Sequence, residues 1–336
     1  MNYLLSSNFA KWTAMLLGMA LVFILGWASV MFGLTNITWE MVVDSYTKFN
    51  GSHEHLIIQT ARVPRAAIAI VVGASLAVSG ALMQALTRNP LASPDIFGLN
   101  AGASFFIVFA VTFLSMSSLE LFKWVAFLGA FVAALAIYIL GSFGRNGLTP
   151  MKLTLAGASI AALFSSLTKG MLSINETGLE EVLFWLAGSV EGRELKMLYP
   201  VLPYLGIAWV GSMILSQKIN ILLMGDDVAK GLGQRVVLIK AMTWLIVVIL
   251  AGGSVAIAGP IGFIGIVVPH LVRSMVGVDH RWVIPFSAIC GAIMLLLADI
   301  GARYIIMPKE VPVGVMTALI GTPFFIYIAR KGFNRK

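Results

Sequence analysis

Residues 241–269 read AMTWLIVVILAGGSVAIAGPIGFIGIVVP, with no Asp, Glu, Lys or Arg at any position. A helix needs roughly 20 apolar residues to cross a bilayer. This run exceeds one crossing, and Ala258-Gly259-Pro260 interrupts it. Glycine and proline end a helix or turn the chain there, so the run holds parts of two spans. Similar uncharged runs occupy residues 12–39, 66–87, 96–119, 124–144, 197–217 and 311–329. They predict spans at 12–34, 64–86, 94–115, 122–141, 152–172, 197–216, 237–257, 262–276, 282–302 and 312–329, the eighth being short. The expected fold is all-α: a polytopic membrane protein of ten transmembrane helices, with residues 1–336 forming one transmembrane domain.

Composition agrees. Of 336 residues, 59% are hydrophobic and 11% charged, against about 25% charged in soluble domains. A membrane β-barrel would show segments of about 10 residues with alternating polarity, whereas these runs are continuous. The first run is long, follows Lys11 and lacks a small-x-small cleavage site, so it reads as a retained span rather than a signal peptide. Cys290 is the only cysteine, which excludes an intrachain disulfide and a cysteine-cluster metal site. The formal charge of +8 suits basic cytoplasmic loops better than nucleic acid. With the N-terminus inside, the inner segments collect Lys11, Arg88, Arg145, Lys218, Lys230, Arg235, Arg281 and Arg330, among others. The outer segments collect Glu40, Asp44, Glu176, Glu180, Glu181, Glu191 and Glu194. That bias places both termini in the cytoplasm.

Residues 38–49 form a short amphipathic stretch on the outer surface, and residues 175–192 hold a short outer helix with acids at its start. Gly73, Ala77 and Ala81, then Gly98 and Gly102, then Gly157 and Ala161, recur at spacings of four, which lets helix backbones approach in lipid. The fifth span adds Thr154, Ser159, Ser165, Ser166 and Thr168. It is either a packing helix or the lining of a polar path.

Four polar segments ask for more than packing. Arg62-Val63-Pro64-Arg65 puts two guanidiniums on one helix face at an outer rim, and Arg303 can join them. They either snorkel to lipid phosphate or form a docking patch for an acidic partner. Asp299, four residues before Arg303, is spaced to pair with it and position it. Residues 88–95 (RNPLASPD) form a rigid inner turn in which Asn89 caps locally. Residues 217–236 form the longest inner connection. A first short helix over Asn220 to Met224, the break at Gly225 and a second helix starting at Asp226-Asp227 suit a docking surface for a cytoplasmic partner. Leu222, Leu223, Ala229 and Leu232 are its expected exposed contacts. The fourth segment runs from Gly259 to Arg273 and contains His270, read as a hydrogen-bonded structural residue rather than a proton relay. No Walker-type loop is present, so no nucleotide binds by that route.

At these segments the chain resembles the FecCD family, the permease subunits of bacterial ABC importers for ferric siderophores, haem and vitamin B12. The matching stretches are Arg62 to Arg65, Gly73 to Gly80, Gln84 to Gly98, residues 220–233, Gly259 to Arg273 and Glu310 to Gly314. The resemblance implies the type II importer permease (BtuC-like) fold in the bacterial cytoplasmic membrane. It implies a second permease protomer, a paralogue or an identical copy, and two cytoplasmic ATPase subunits that use ATP and Mg. It also implies an extracytoplasmic substrate-binding lipoprotein that docks on Arg62, Arg65 and Arg303. Asn220, Leu222, Leu223, Gly225, Asp226, Asp227, Ala229, Leu232 and Gly233 match the ATPase-coupling loop. The fifth span, through Thr154, Ala158, Ser159, Ala162, Ser165 and Ser166, matches the translocation path, with a cytoplasmic gate at Leu148 and Thr149. No metal site, bound cofactor or catalytic residue is expected in this chain.

The expected function is import of a ferric siderophore by ATP-driven alternating access. Cobalamin or haem is the alternative cargo. A secondary transporter working alone is the rival class, but it would need mid-bilayer ionisable groups and often an inverted repeat; neither is evident.

Overall fold

The computed structural model describes residues 3–33, 35, 37–116, 118–144, 148–174 and 179–333. Arg145, Glu176, Arg335, Lys336 and the first part of the expected 175–192 helix lie outside them. The chain opens with α1 (Asn8–Met31), whose first turn is capped by the Ser7 hydroxyl accepting from the Ala10 amide at 3.1 Å. The amphipathic α2 (Trp39–Thr47) is capped by Thr38 and carries Glu40 in its first turn. Next, α3 (His53–Ile57) runs through a π-helical turn, Ile58–Arg62, into α4 (Val63–Thr87), with Pro64 in the first turn where its missing N–H costs nothing. Then come α5 (Leu99–Leu114), α6 (Leu119–Ser142), α7 (Pro150–Ile174), α8 (Leu179–Leu186) and α9 (Leu195–Leu198). The chain closes with α10 (Leu202–Leu223), α11 (Asp226–Gly231), α12 (Val236–Ala258), α13 (Ile264–Val276), α14 (His280–Ala302) and α15 (Val313–Phe333).

Among the described residues, seven helical segments are long and apolar enough to cross a membrane: α1, α3 with α4, α6, α7, α10, α12 and α14. Three shorter apolar helices, Leu99–Leu114, Ile264–Val276 and Val313–Ile326, fall where the remaining spans were expected. The second span begins earlier than expected, at His53, and the sixth is displaced along the chain. It begins at Leu202, next to Pro203, and continues through Lys218 and Asn220 to Leu223. The expected short helix over Asn220 to Met224 is therefore the end of α10. Asn220 is tolerated there because its amide donates to Asp279 Oδ1 at 2.7 Å and its oxygen accepts from the His280 amide at 2.9 Å.

The second span, not the first, is the centre of the bundle. Almost every residue of α4 is buried, and it packs against α12, α13, α14 and α1. In contrast α1 and α7 are mostly exposed. Close approach at the centre depends on paired glycines. A Cβ on Gly73 would strike the Gly291 carbonyl of α14, and one on Gly80 would strike the Gly265 carbonyl of α13. Lipid gives helices no hydrophobic reason to associate, so such backbone contact supplies dispersion that larger side chains would prevent. The broken run of residues 241–269 is resolved as α12 ending at Ala258 and α13 starting at Ile264. Gly259 at φ +72° turns the chain, and Asp95 Oδ2 accepts from the Phe263 amide at 3.3 Å, at the N-terminal end of α13. His270 packs edge-on to Phe324 at 5.8 Å.

Asp279 caps α14 and accepts from Asn220 and the Arg281 amide and guanidinium. Burial pushes its carboxyl up, but these hydrogen bonds and the Arg281 charge outweigh that and pull it down to about 2. A depressed folded pKa stabilises above the ordinary value and is lost as pH falls through the folded one. Asp279→Ala is expected to cost about 1 kcal/mol at neutral pH. The gap to wild type should narrow from about pH 3.8 toward about 2. Thermal midpoints of both proteins across that range check this, and a gap that stays constant in acid rules it out.

Candidate functional site

At the end of the bundle where α4 begins and α14 ends, the three arginines expected as a docking patch are all buried, and two of them, Arg65 and Arg303, belong to an ionic cluster. Arg65 Nε lies 2.7 Å from Asp299 Oδ1, and its Nη1 lies 2.5 Å from Glu310 Oε2. Arg303 pairs with the other Asp299 oxygen as expected from their spacing of four, and it donates to the Ser29 and Phe32 carbonyls at 2.6 and 2.7 Å. Ser29 Oγ also donates to Asp299 at 3.4 Å. Asp299 is 0% exposed and Arg303 1%. A fully hydrogen-bonded carboxylate flanked by two guanidiniums is the arrangement that makes buried charge tolerable. It joins α1, α4, α14 and the segment before α15. Arg62 donates to the Phe32 carbonyl and, among the described residues, forms no ion pair. Glu191, in the loop after α8, lies within range of the cluster. Burial and the Glu310 charge raise its pKa above the usual carboxylate range. The expected patch thus carries counter-charges: Asp299, as its spacing from Arg303 implied, and also Glu310, with Glu191 nearby. Glu310 and Glu191 are distant in sequence and carried no local signal.

At the opposite end of the bundle, α11 projects between Gly225 and Gly233, both at positive φ. The exposed surface there is Met224, Asp227, Val228 and Leu232, with Leu232 62% exposed. Ala229 and Leu222 are buried at 0% and 2%, and Leu223 is half-buried, which corrects their expected role as exposed contacts. The reason is phase: Leu222 still belongs to α10 and faces the bundle, and Ala229 is the side of α11 that packs inward. Asp226 is held by Arg88 at 2.7 Å and by Lys240 at 2.5 Å. Burial raises the Asp226 carboxyl, yet the hydrogen bonds and charges of Lys240 and Arg88 bring it below its ordinary value. Asn220 faces α14 and takes no part in this surface.

The fifth span, α7, divides cleanly into two faces. Leu153, Ala156, Gly157, Ile160, Phe164 and Thr168 are buried, with Gly157 against Phe97 and Gly98 against Ala161. Ala158, Ser159, Ala162 and Ser166 are exposed on the other face together with Met151, Leu155 and Leu163, with Thr154 and Ser165 half-buried at its edge. Thr154 donates to the Pro150 carbonyl at 2.9 Å. Thr149 accepts from the Lys152 amide at 3.4 Å at the start of the helix, and the Leu148 carbonyl accepts from Lys240 Nζ at 3.0 Å. Among the described residues, no group of three or more His, Cys, Asp or Glu is arranged to hold a metal ion.

Residues 21–331 match the FecCD transport family. The chain is 61% identical over 305 residues to the probable siderophore transport system permease protein YfiZ of Bacillus subtilis (strain 168), covering 91% of this chain and 92% of that protein. It is 39% identical over 315 residues to the ferric enterobactin transport system permease protein FepD of Escherichia coli (strain K12), covering 94% of each. A solved structure described as an inward-facing conformation of a metal-chelate type ABC transporter superposes with a TM-score of 0.83 at 28% identity, over 95% of this chain and 99% of that one. The chain belongs to the FecCD transport family.

Proposed function

We propose that this chain is the permease subunit of an ABC-type importer that carries a ferric siderophore across the bacterial cytoplasmic membrane. It is a transport subunit and not an enzyme; ATP and Mg are used by partner ATPase subunits. Ten helices cross the membrane in this reading, with α5, α13 and α15 as the short crossings and both termini in the cytoplasm. A second permease protomer, a paralogue by preference, covers the exposed face of α7. The observation that carries the reading is that face itself. Ala158, Ser159, Ala162 and Ser166 are small or hydroxyl-bearing and outward, on a helix whose other face is fully packed. Leu155 and Leu163 share that outward side, and the small and hydroxyl positions beside them are where two such faces opposed across a dimer leave a wide, wettable wall for a bulky iron chelate. Met224, Val228 and Leu232 give the ATPase an apolar docking surface, flanked by the charge of Asp227.

On the outer side, Arg62 is 8% exposed and held by the Phe32 carbonyl, with no ion pair among the described residues; it is the guanidinium that would turn outward to a carboxylate of the substrate-binding protein, while Arg65 and Arg303 are fixed by Asp299 and Glu310. The function is tested by reconstituting the four-subunit transporter with its binding protein and measuring uptake of iron-labelled siderophore. ATP-independent uptake would return the chain to the secondary-transporter class. Within that system, Arg62→Glu is expected to weaken docking by about 2 kcal/mol or more, roughly 30-fold. Stimulation of ATP hydrolysis by the binding protein should shift to correspondingly higher concentrations, and an unshifted titration removes Arg62 from the interface.

A further inference from the structure

Lys240, in the second turn of α12, is 6% exposed, yet its ammonium spans two separate parts of the inner face. One hydrogen bond reaches Asp226 on α11 at 2.5 Å, and another reaches the carbonyl of Leu148 at 3.0 Å. Leu148 immediately precedes Thr149 and the first turn of α7. The same Asp226 accepts from Arg88 at 2.7 Å, and Arg88 also donates to the Leu222 carbonyl at 2.9 Å. Arg88 opens the turn that ends in Phe97 and Gly98, and these pack on Gly157 and Ala161 in the middle of α7. One carboxylate on the short helix α11 is therefore gripped by two cations, and each leads to α7, one at its base and one along its length.

We propose that Lys240 is a positioning residue that transmits movement of α11 to the cytoplasmic base of α7 in the transport cycle; this rests on the permease reading above. An ammonium this buried needs its carboxylate, since separation would strand a charge in a low dielectric. When the partner ATPase displaces α11, Lys240 follows Asp226 and either draws the Leu148 carbonyl with it or releases it. A cavity of about 340 Å³, whose lining includes Tyr138, Leu148, Asp226, Lys230 and Lys240, leaves the side chain room to swing. Asp227, Val228 and Leu232, the exposed part of the loop, make none of these bonds, so docking and transmission fall on different residues.

The test uses the reconstituted four-subunit transporter carrying Lys240→Met, with Lys240→Arg as the charge-retaining control. Substrate moved per ATP hydrolysed is expected to fall at least tenfold in Lys240→Met, with the ATPase still co-purifying and still turning over. Lys240→Arg should recover most of the ratio. A second readout needs no cargo: thiol labelling of Met151→Cys, exposed at the base of α7, in a Cys290→Ala background. Its rate should change between nucleotide-free and vanadate-trapped states in the parent and not in Lys240→Met. Should Lys240→Met fail to accumulate, Lys240→Gln carries both measurements. An unchanged transport-to-hydrolysis ratio, loss of the ATPase from the complex, or a labelling change that persists in Lys240→Met overturns the proposal. A labelling change that is lost in Lys240→Met while the parent carries no ferric siderophore leaves the relay standing and removes the cargo assignment instead.

Discussion

Asp299→Ala is expected to destabilise the outer half of the bundle by about 3–5 kcal/mol, the cost of stranding a buried charge when its partner is removed. The carboxylate has no water to replace it: it is 0% exposed and accepts from Arg65, Arg303 and Ser29. Without it, Arg303 keeps its carbonyl acceptors but loses its counter-charge, and Arg65 keeps only Glu310. The midpoint of thermal unfolding in detergent should fall by many degrees, or the protein should fail to accumulate in the membrane. Glu310→Ala is the graded comparison. Glu310 is partly exposed and, among the described residues, pairs only with Arg65, so its loss should cost clearly less. Equal midpoints for Asp299→Ala and wild type would show that the cluster is not holding α1, α4 and α14 together.

A comparable loss is expected at the centre of the bundle from Gly80→Ala, a change of one methyl group. The added Cβ has backbone as its neighbour, the carbonyl and Cα of Gly265, so no side chain can rotate aside. Overpacking a core by a methylene typically costs about 1–3 kcal/mol, and an obstruction by backbone on both sides belongs at or above the top of that range. Separation of α4 from α13 also breaks the Gln84 bond to the Gly265 carbonyl at 3.0 Å, and with it the Arg273 bond to Gln84 at 2.5 Å. Gly170→Ala on α7 meets nothing within 4 Å and is the neutral control. Gly80→Ala and Gly170→Ala accumulating equally, with equal midpoints, would contradict the packing described for α4.

Much of this was legible before any coordinates. Length without charge located the helices, and Ala258-Gly259-Pro260 located the break before α13. The stripe of Gly73 and Ala77 does meet α14, at Gly291. Ala158 and Ala162 are singled out by the family resemblance alone, Ser159 and Ser166 also by the hydroxyl content of their span, and the structure leaves all of them exposed on α7. The limits follow from the same physics. The sixth span was drawn too early because a charge-free window admits the short helix α9 and stops at Lys218. The helix itself stops only where Gly225 leaves the helical conformation. Leu222 and Ala229 looked exposed because hydropathy cannot tell an apolar docking contact from an apolar inner face. The Arg65 pairing with Asp299 spans 234 residues, and the Lys240 bond to Leu148 spans 92 and ends on a backbone carbonyl. No residue type marks either in advance.

The central position of α4 has a consequence for how the protein is made. Its glycine face and its arginine are synthesised long before the partners that receive them, with Asp299 following Arg65 by 234 residues. At about 5–20 residues per second the interval is on the order of ten to fifty seconds. During it the inserted segment waits at the translocon or in lipid with an unneutralised guanidinium near one membrane surface. Ribosome-bound chains that stop before α14 should therefore present Arg65 and the Gly73 face as handles for an insertase or membrane chaperone.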